Sequence, residues 1–240
     1  MQFVSSLGSA PDVMFAAVDL SGILYWFGQG IYLAMALAAG FGLYCIVILM
    51  RRIKQKSFPS RESAAVFLDE IGDSLEEGKF ESVADACDQP EVWAKAVPQL
   101  ITVAIENRNK PIRKIKIIVA EFFSREILAE FDARTGWVNT VVKSAPMLGL
   151  LGTVSGMIMA FGKIAGTGES GVKPSALAGD ISFALFTTAA GLSIAIPLVV
   201  LGNMTQTRIS KLQDSVQENM GIFFDDLEAA QVRGGDVDDA

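Results

Sequence analysis

The chain has 240 residues, of which 51% are hydrophobic and only 20% charged, and its mean hydropathy of +0.39 indicates a membrane protein rather than a soluble one. The absence of histidine excludes histidine-ligated zinc and Ser-His or Cys-His catalysis, and two cysteines, Cys45 and Cys87, are too few for a disulfide framework or a cysteine metal cluster. A net charge of -7 with a pI near 4.7 argues against a nucleic-acid partner, because phosphates require a basic surface.

Three stretches without a charged residue are long enough to cross a bilayer. They comprise 31 residues at Leu20–Met50, 19 at Ser144–Gly162 and 27 at Ile181–Thr207. A hydrocarbon core about 30 Å thick requires roughly 20 helical residues. The second stretch is the shortest, and a buried core helix is the alternative for it. We predict an all-α integral membrane protein with three transmembrane helices, two of which extend into a helical cytoplasmic domain.

The predicted segments follow in chain order. An external N-terminal segment at 1–19 precedes transmembrane helix 1 at 20–50, a cytoplasmic helical domain at 51–136 and transmembrane helix 2 at 137–162. An external loop at 163–180, transmembrane helix 3 at 181–207, and a cytoplasmic helix with an acidic tail at 208–240 complete the chain.

The orientation follows from a basic cluster directly after the first span. Positive residues near span ends stay in the cytoplasm, so the N-terminus is expected outside. No positive region precedes the first apolar run, so no cleaved signal peptide is expected. We expect the cluster to contact anionic lipid headgroups; it consists of Arg51, Arg52, Lys54 and Lys56.

Apolar residues at helical spacing indicate helices on both sides of the spans. One helix ends at Gly78, a second begins near Phe80, and a third begins at Ile112 and runs on into the second span. Pro90 and Pro98 interrupt the segment between the second and third helices, and the tail after Arg233 is expected to lack regular structure. The first helix has the stripe Ala64, Phe67, Leu68, Ile71 and Leu75, and the helix after span three has Ile209, Leu212, Val216, Met220 and Phe223.

Small residues form a stripe on each of the last two spans, and such stripes let helices approach closely in lipid. Threonines lie in or beside both stripes. Their hydroxyls either bond back to the carbonyl four residues earlier and only assist packing, or line a narrow polar path. The stripes are Gly149, Gly152 and Gly156 in span two, and Ala184, Thr188, Gly191 and Ala195 in span three; Thr153 and Thr187 lie beside them.

The interiors of spans two and three contain no ionisable residue. Proton relays and ion paths through membranes normally use one. If the chain conducts protons, another subunit must therefore supply the titrating group.

Two motifs in these spans resemble a known family. The segments Ala145–Ile158 and Ile181–Leu192, the latter followed by Ala195-Ile196-Pro197, are similar to the signatures of the MotA/TolQ/ExbB proton channel family of bacterial energy transducers. Leu75–Cys87 also looks like a helix turn of that family's cytoplasmic domain. Three predicted spans favour the TolQ and ExbB branch, because MotA has four.

The resemblance implies a homopentamer in the bacterial inner membrane whose second and third spans line a central pore. Inside it would lie two copies of an ExbD- or TolR-like single-span partner carrying a membrane aspartate, with a TonB- or TolA-like envelope protein as a further partner. Thr153 and Thr188 would face that aspartate, with Thr187 a weaker candidate. No cofactor is implied.

The chain departs from this family at Phe183, where TolQ and ExbB usually have glutamate. The nearest acid is Asp180, which lies nearly one turn outward. It is either a substitute at the pore mouth or an acid that complements the dipole at the start of a helix.

The predicted function is a pore-forming subunit that couples inward ion flow to motion of its partner and energises an envelope process such as outer-membrane transport. Two alternatives are a non-conducting membrane scaffold and a sodium-driven channel of a related branch. A membrane enzyme has almost no support, because the chain shows no nucleophile–base pair, catalytic constellation or metal-ligand set.

Overall fold

The computed structural model describes residues 20–166 and 174–238, with side chains described at 29–164 and 174–232. Among the described residues nearly all are helical and none forms a strand. The elements are α1 (Leu20–Lys56), α2 (Arg61–Glu76), α3 (Phe80–Cys87), α4 (Ala96–Glu106), α5 (Ile112–Phe122), a π-helical segment (Phe123–Leu128), α6 (Ala129–Gly166) and α7 (Pro174–Asp238).

Three of the helical stretches are long and apolar enough to cross a membrane. They are Gln29–Lys56 in α1, Ile112–Ile164 from α5 through α6, and Pro174–Val232 in α7. The prediction of an all-α protein with three spans is therefore confirmed. The last two stretches continue well beyond the length that a bilayer requires, about 20 residues.

The chain forms two compact units, and α1, α6 and α7 contribute residues to both. The first comprises residues up to Leu37 together with Ala145–Ser193. The second comprises Ala38–Ser144 and the chain from Ile194 onward. The first unit thus holds the threonines and glycines of the candidate site, and the second holds helices α2 to α5.

Helices α2 and α3 form where the sequence predicts them. Ser60 begins α2 with a capping box. The Ser60 side chain accepts a hydrogen bond from the Ser63 backbone N–H, and the Ser63 hydroxyl accepts one from the Ser60 backbone N–H. The α2 stripe is buried, and Gly78 separates the two helices with a φ of 69°. Glycine adopts this left-handed conformation without the steric penalty that a Cβ would bring.

Helix α4 lies in the segment where the sequence predicts an interruption. It begins at Ala96, so Pro98 is its third residue. Proline is tolerated in the first turn because the N–H groups there have no acceptor within the helix. Seven of its residues are buried, which explains why a mostly apolar segment folds into the core.

The end of α7 also differs from expectation. The tail after Arg233 is helical as far as Asp238, although the sequence predicts no regular structure there. Extending an existing helix costs far less than starting one, because the nucleus is already formed.

A π-helical segment connects α5 to α6. Buried residues follow a strict four-residue spacing through it: Ile115, Val119, Phe123, Ile127 and Phe131. An α-helix turns about 100° per residue, so this spacing drifts about 40° at each step. The wider π turn absorbs an extra residue and keeps these side chains directed at one core.

The second unit contains two apolar clusters among the described residues. The larger one joins the inward faces of α2, α3, α4 and α5 to the part of α7 that begins at Ile209. The predicted α7 stripe, from Ile209 to Phe223, is buried in this cluster, as is Leu227. The third span and this apolar stripe are therefore parts of one continuous helix, as the sequence predicts.

Candidate functional site

The glycines of α6 allow its backbone to approach that of α7 very closely. A Cβ on Gly149 would come within 2.9 Å of the Thr187 carbonyl oxygen and 3.0 Å of the Thr188 Cα. A Cβ on Gly156 would come within 2.6 Å of the Ala184 Cβ. Distances below about 3.0 Å leave no room for any side chain, so the α6 surface must be glycine at these turns.

Gly152 occupies the tightest point of this contact. A Cβ there would overlap the Thr187 hydroxyl and would lie 2.6 Å from the Thr187 Cβ. From the α7 side, a Cβ on Gly191 would lie 2.7 Å from the Ala145 carbonyl oxygen. Both stripes of small residues thus meet in one helix pair.

Two further small residues of the α7 stripe are buried. Ala184 has 1% of its surface exposed and Ala195 5%. Ala184 faces Gly156 within the first unit, whereas Ala195 belongs to the second unit. The stripe therefore continues past the end of the first unit.

Threonine hydroxyls of α7 bond across this contact. Thr188 Oγ1 donates to the Gly149 carbonyl oxygen at 3.0 Å. Thr187 Oγ1 lies within hydrogen-bond distance of the same carbonyl, at 3.1 Å, and of its own Ala184 carbonyl, at 2.6 Å. The Gly149 carbonyl is thus the meeting point of both hydroxyls, which the spacing in the sequence does not reveal.

The three threonines differ in exposure. Thr187 is buried, with 1% of its surface exposed, and lies inside the helix contact. Thr188 and Thr153 are only partly buried, and the Thr153 hydroxyl donates back to the Leu150 carbonyl at 2.7 Å. Of these three threonines, Thr153 and Thr188 are therefore the two that remain accessible to another molecule.

Asp180 forms an ion pair with Lys163 in the first unit. Its two carboxylate oxygens lie 2.7 Å and 2.9 Å from Lys163 Nζ. Because α7 begins at Pro174, Asp180 lies in its second turn, and no acid occupies the first. The interpretation of Asp180 as an acid at the start of the helix is therefore wrong, since the dipole effect falls off within the first turn. The pairing with Lys163 was missed because the two residues are 17 positions apart and lie on different helices.

Phe183, the position at which the resemblance predicts glutamate, packs against α1. Its ring lies edge-on to Tyr32, with the ring centroids 5.3 Å apart. Edge-to-face pairs are favourable contacts, worth about 0.5–1.5 kcal/mol beyond the area they bury. An aromatic side chain thus joins α7 to α1 where a glutamate would have to be solvated or paired.

Ser155 is a polar residue of this unit that the sequence analysis did not single out. It is buried, with 5% of its surface exposed, and its hydroxyl has no hydrogen-bond partner among the described residues. Its position beside Gly156, on the stripe of small residues, is the sequence signal that could have identified it.

The residues of the basic cluster after the first span make different contacts within the chain. Arg52 pairs with Glu130, with Nε and Oε1 3.6 Å apart, and Lys56 Nζ donates to the Gln99 side chain at 2.6 Å. Arg51 is exposed. Lys54 instead lines a cavity beside α2 and α7, so the four residues have separate environments.

The hydroxyls of Thr153, Thr187 and Thr188 and the Gly149 carbonyl form an uncharged polar strip in the middle of α6 and α7. Hydroxyl groups can donate to and accept from a carboxylate, a water molecule or a cation, but they cannot carry a proton through a titration near neutral pH. The strip can therefore line a path, and the group that changes charge must come from elsewhere.

Comparison with known proteins gives the family. The family model described as MotA/TolQ/ExbB proton channel family matches residues 94–218, a little over half of the chain, including α6 and most of α7. The chain is 26% identical over 185 residues to an ExbB homologue of Methanothermobacter thermautotrophicus, an alignment that covers 75% of this chain and 62% of the relative.

Two bacterial relatives are more similar over shorter segments. A biopolymer transport protein ExbB of Xanthomonas campestris pv. campestris is 42% identical over 88 residues, which cover 37% of this chain and 32% of the relative. A biopolymer transport protein of Vibrio cholerae, exbB1, is 51% identical over 70 residues, covering 29% of this chain and 30% of the relative. The aligned part of the chain thus spans less than two thirds of each of these three relatives.

The match extends over both spans that carry the glycine and threonine contacts. The three relatives described above bear ExbB names. The three long apolar helices make the chain a multi-pass membrane protein. The chain therefore belongs to the MotA/TolQ/ExbB proton channel family, on its ExbB-like branch.

Proposed function

We propose that the chain is the pore-forming subunit of an ion-driven motor in the bacterial inner membrane. Five copies surround two copies of an ExbD- or TolR-like single-span protein, and inward proton flow moves that partner to energise an envelope process such as outer-membrane transport. A TonB- or TolA-like envelope protein is the proposed recipient of the motion. The N-terminus lies outside and the cytoplasmic domain, including 51–136, lies inside.

One observation carries this proposal. Thr153 and Thr188 present partly exposed hydroxyls on α6 and α7, in spans whose interiors contain no ionisable residue. A membrane aspartate on the partner supplies the charge that the chain lacks, and the hydroxyls hydrogen-bond it or a water molecule beside it. Thr187 is assigned a packing role instead, because it is buried between the helices.

The charge scheme follows from the cost of placing an ion in hydrocarbon. An ionised aspartate is strongly disfavoured against an apolar ring in a membrane. It can pass that ring only after protonation from the outer side, and it releases the proton on the inner side. Asp180, paired with Lys163 at the outer end of this unit, is the proposed entrance residue.

Replacing the two partly exposed threonines by valine tests the path. We expect Thr153→Val combined with Thr188→Val to abolish proton flux into proteoliposomes that contain the chain and its co-purified partner, measured with an internal pH dye. The complex should remain assembled, because losing the Thr188 hydrogen bond costs only about 1 kcal/mol.

Thr187→Val is the matched control. It removes the same hydroxyl from the neighbouring position, where the side chain is buried, and should retain flux. Full flux in the double variant would exclude a role of these hydroxyls in conduction, and the non-conducting scaffold would become the better proposal. Flux that requires sodium instead of a proton gradient would identify the sodium-driven alternative.

Native mass spectrometry of the chain purified from its host in mild detergent tests the assembly. The expected result is a pentamer that retains two copies of a small single-span protein with an aspartate in its span. A monomer or dimer in several detergents would contradict the proposed architecture.

A further inference from the structure

A cavity of about 580 Å³ lies where α1 and α7 leave the predicted membrane region. The last turns of α1, the start of α2 and the turns of α7 that follow Thr207 enclose it. All of its lining residues belong to the second unit. Its volume falls in the range of small-ligand sites, about 300 to 1,000 Å³.

The lining of this cavity is strongly basic. Four cations face one carboxylate: Lys54, Arg61, Arg208 and Lys211 against Asp214. Arg61 pairs with Glu218 at 3.6 Å, and both side chains are mostly exposed, at 90% and 58%. The other three cations make no ion pair within the described part of the chain. The cavity therefore has an excess of positive charge that the fold itself does not neutralise.

The start of α2 adds to this positive potential. Ser60 and Arg61, at the N-terminus of this 16-residue helix, line the cavity. The capping box occupies the Ser60 and Ser63 N–H groups, which leaves the first two N–H groups of the helix without an acceptor inside it. Helix N-termini favour anions through these N–H groups and the helix dipole.

Apolar side chains form a further part of the cavity lining, an apolar wall. Ile53 and Leu212 line the cavity and are buried, with 5% and 4% of their surfaces exposed, and the partly buried Phe58 lines it as well. A free inorganic anion gains nothing from such a wall. An amphiphile with an anionic head and an apolar body uses both sides.

The position of the cavity in the chain fits a membrane surface. Arg208 directly follows the third uncharged stretch, which ends at Thr207, and Lys54 lies four residues after the first, which ends at Met50. Basic side chains at this depth lie among lipid phosphates. The cavity is thus at the level where a phospholipid could reach it from the bilayer.

We propose that this cavity is a specific site for the phosphate group of an anionic phospholipid. Lys54, Arg208 and Lys211 contact the phosphate, and the apolar wall packs against the glycerol end of the acyl chains. The site differs from a general basic surface after the first span, because Arg52 and Lys56 are engaged with Glu130 and Gln99.

Lipid titration followed by native mass spectrometry tests this site on the purified 240-residue chain in mild detergent. The probes are phosphatidylglycerol, phosphatidylcholine as the zwitterionic lipid, and millimolar inorganic phosphate as the free anion. The cavity variant is Arg208→Gln with Lys211→Gln. The matched control is Arg113→Gln with Lys114→Gln, which removes two exposed cations of α5 outside the cavity.

We expect the chain to bind phosphatidylglycerol in preference to phosphatidylcholine, and the cavity variant to bind it at least about tenfold more weakly, as the loss of charge-assisted contacts implies. The control should bind as the unchanged chain does, and inorganic phosphate should not compete. An equal loss in both variants, or no preference for the anionic lipid, would overturn the proposal. Displacement of the lipid by inorganic phosphate would reassign the site to a free anion.

A second variant distinguishes loss of the binding site from misfolding of the first variant. Lys54→Gln changes one exposed residue on a different helix and should weaken phosphatidylglycerol binding in the same direction. Unchanged binding in Lys54→Gln, with helical content retained by circular dichroism, would contradict the role of this cavity.

Discussion

Replacing Gly152 by alanine tests how closely α6 and α7 must approach at a single residue. The added Cβ would overlap the Thr187 hydroxyl, and overpacking of this kind costs about 1–3 kcal/mol. We expect the thermal unfolding temperature in detergent to fall for Gly152→Ala.

Gly162→Ala is the control in the same helix. A Cβ on Gly162 meets nothing within 4 Å, and alanine is the better helix former by about 1 kcal/mol. This variant should be at least as stable as the unchanged chain. An equal fall in unfolding temperature for both variants would show that the loss of stability has a cause other than the contact with α7.

Cys87 provides a residue-scale prediction for helix α3. It is buried in α3, and this burial raises the pKa of its thiol to about 12, while a hydrogen bond with Thr102 acts in the opposite direction. Only the thiolate reacts with alkylating reagents. We expect Cys87 in the folded chain at mildly alkaline pH to be alkylated on the order of a thousandfold more slowly than in the unfolded chain.

Peptide mass spectrometry after timed alkylation measures this rate for Cys87 separately from Cys45. Ser82→Cys is the control, because position 82 is exposed on the same helix and should react at the rate of an ordinary thiol. Rapid alkylation of Cys87 before unfolding would show that α3 opens locally.

At the scale of elements, Asp226 tests how α7 packs on α2. A Cβ on Gly72 of α2 would lie 3.4 Å from Asp226 Oδ2, so this carboxylate lies against the small residue of the facing helix. Burial raises the pKa of Asp226, and the carboxylates of Asp225, Glu76 and Asp69 raise it further. The folded state therefore disfavours the ionised form.

The sign of the pH dependence follows from linkage. The destabilisation by Asp226 is absent below the ordinary aspartate pKa, grows as the pH rises above that value, and is complete above the raised pKa of the folded state. Asp226→Asn should therefore raise the thermal unfolding temperature by a few degrees at neutral pH and have little effect in acid.

Thermal unfolding of Asp225→Asn provides the comparison for this pair of helices. Asp225 is exposed and acts on Asp226 only as a neighbouring charge. Asp225→Asn should therefore also raise the unfolding temperature at neutral pH, but by less than Asp226→Asn. A loss of stability in Asp226→Asn at neutral pH would mean that the carboxylate makes a favourable contact in the ionised form.

At the scale of the whole molecule, single cysteines test the proposed orientation. Ser175→Cys lies at the start of α7 next to the proposed external loop, and Lys114→Cys lies in α5 of the proposed cytoplasmic domain; both positions are exposed. A membrane-impermeant maleimide applied to spheroplasts should label position 175 at once and position 114 only after permeabilisation. The reverse pattern would invert the topology.

The native cysteines give little background in that experiment. Cys45 and Cys87 are both buried, so the unchanged chain should remain almost unlabelled under the same conditions. Strong labelling of the unchanged chain would show that one of the two segments is open in the membrane-bound protein.

Elements set by local patterns could be predicted from the sequence. The three spans follow from long uncharged stretches, and α2 follows from its buried stripe and its end at Gly78. Helix α4 and the π-helical segment were missed, because their conformations depend on what they pack against. The four-residue spacing from Ile115 to Phe131 is the signal that could have identified the π turn.

The sequence by itself determined that this chain crosses a membrane three times, that two spans carry small-residue stripes with threonines, and that neither supplies a titrating group. Those properties depend on composition and on spacing along one helix. Only the tertiary structure decided that Thr187 and Thr188 meet at the Gly149 carbonyl, that Asp180 pairs with Lys163, and that Lys54 shares a cavity with Arg208 and Lys211. Each of these contacts joins residues on different helices, and helical periodicity predicts which face a residue occupies but not which helix lies opposite that face.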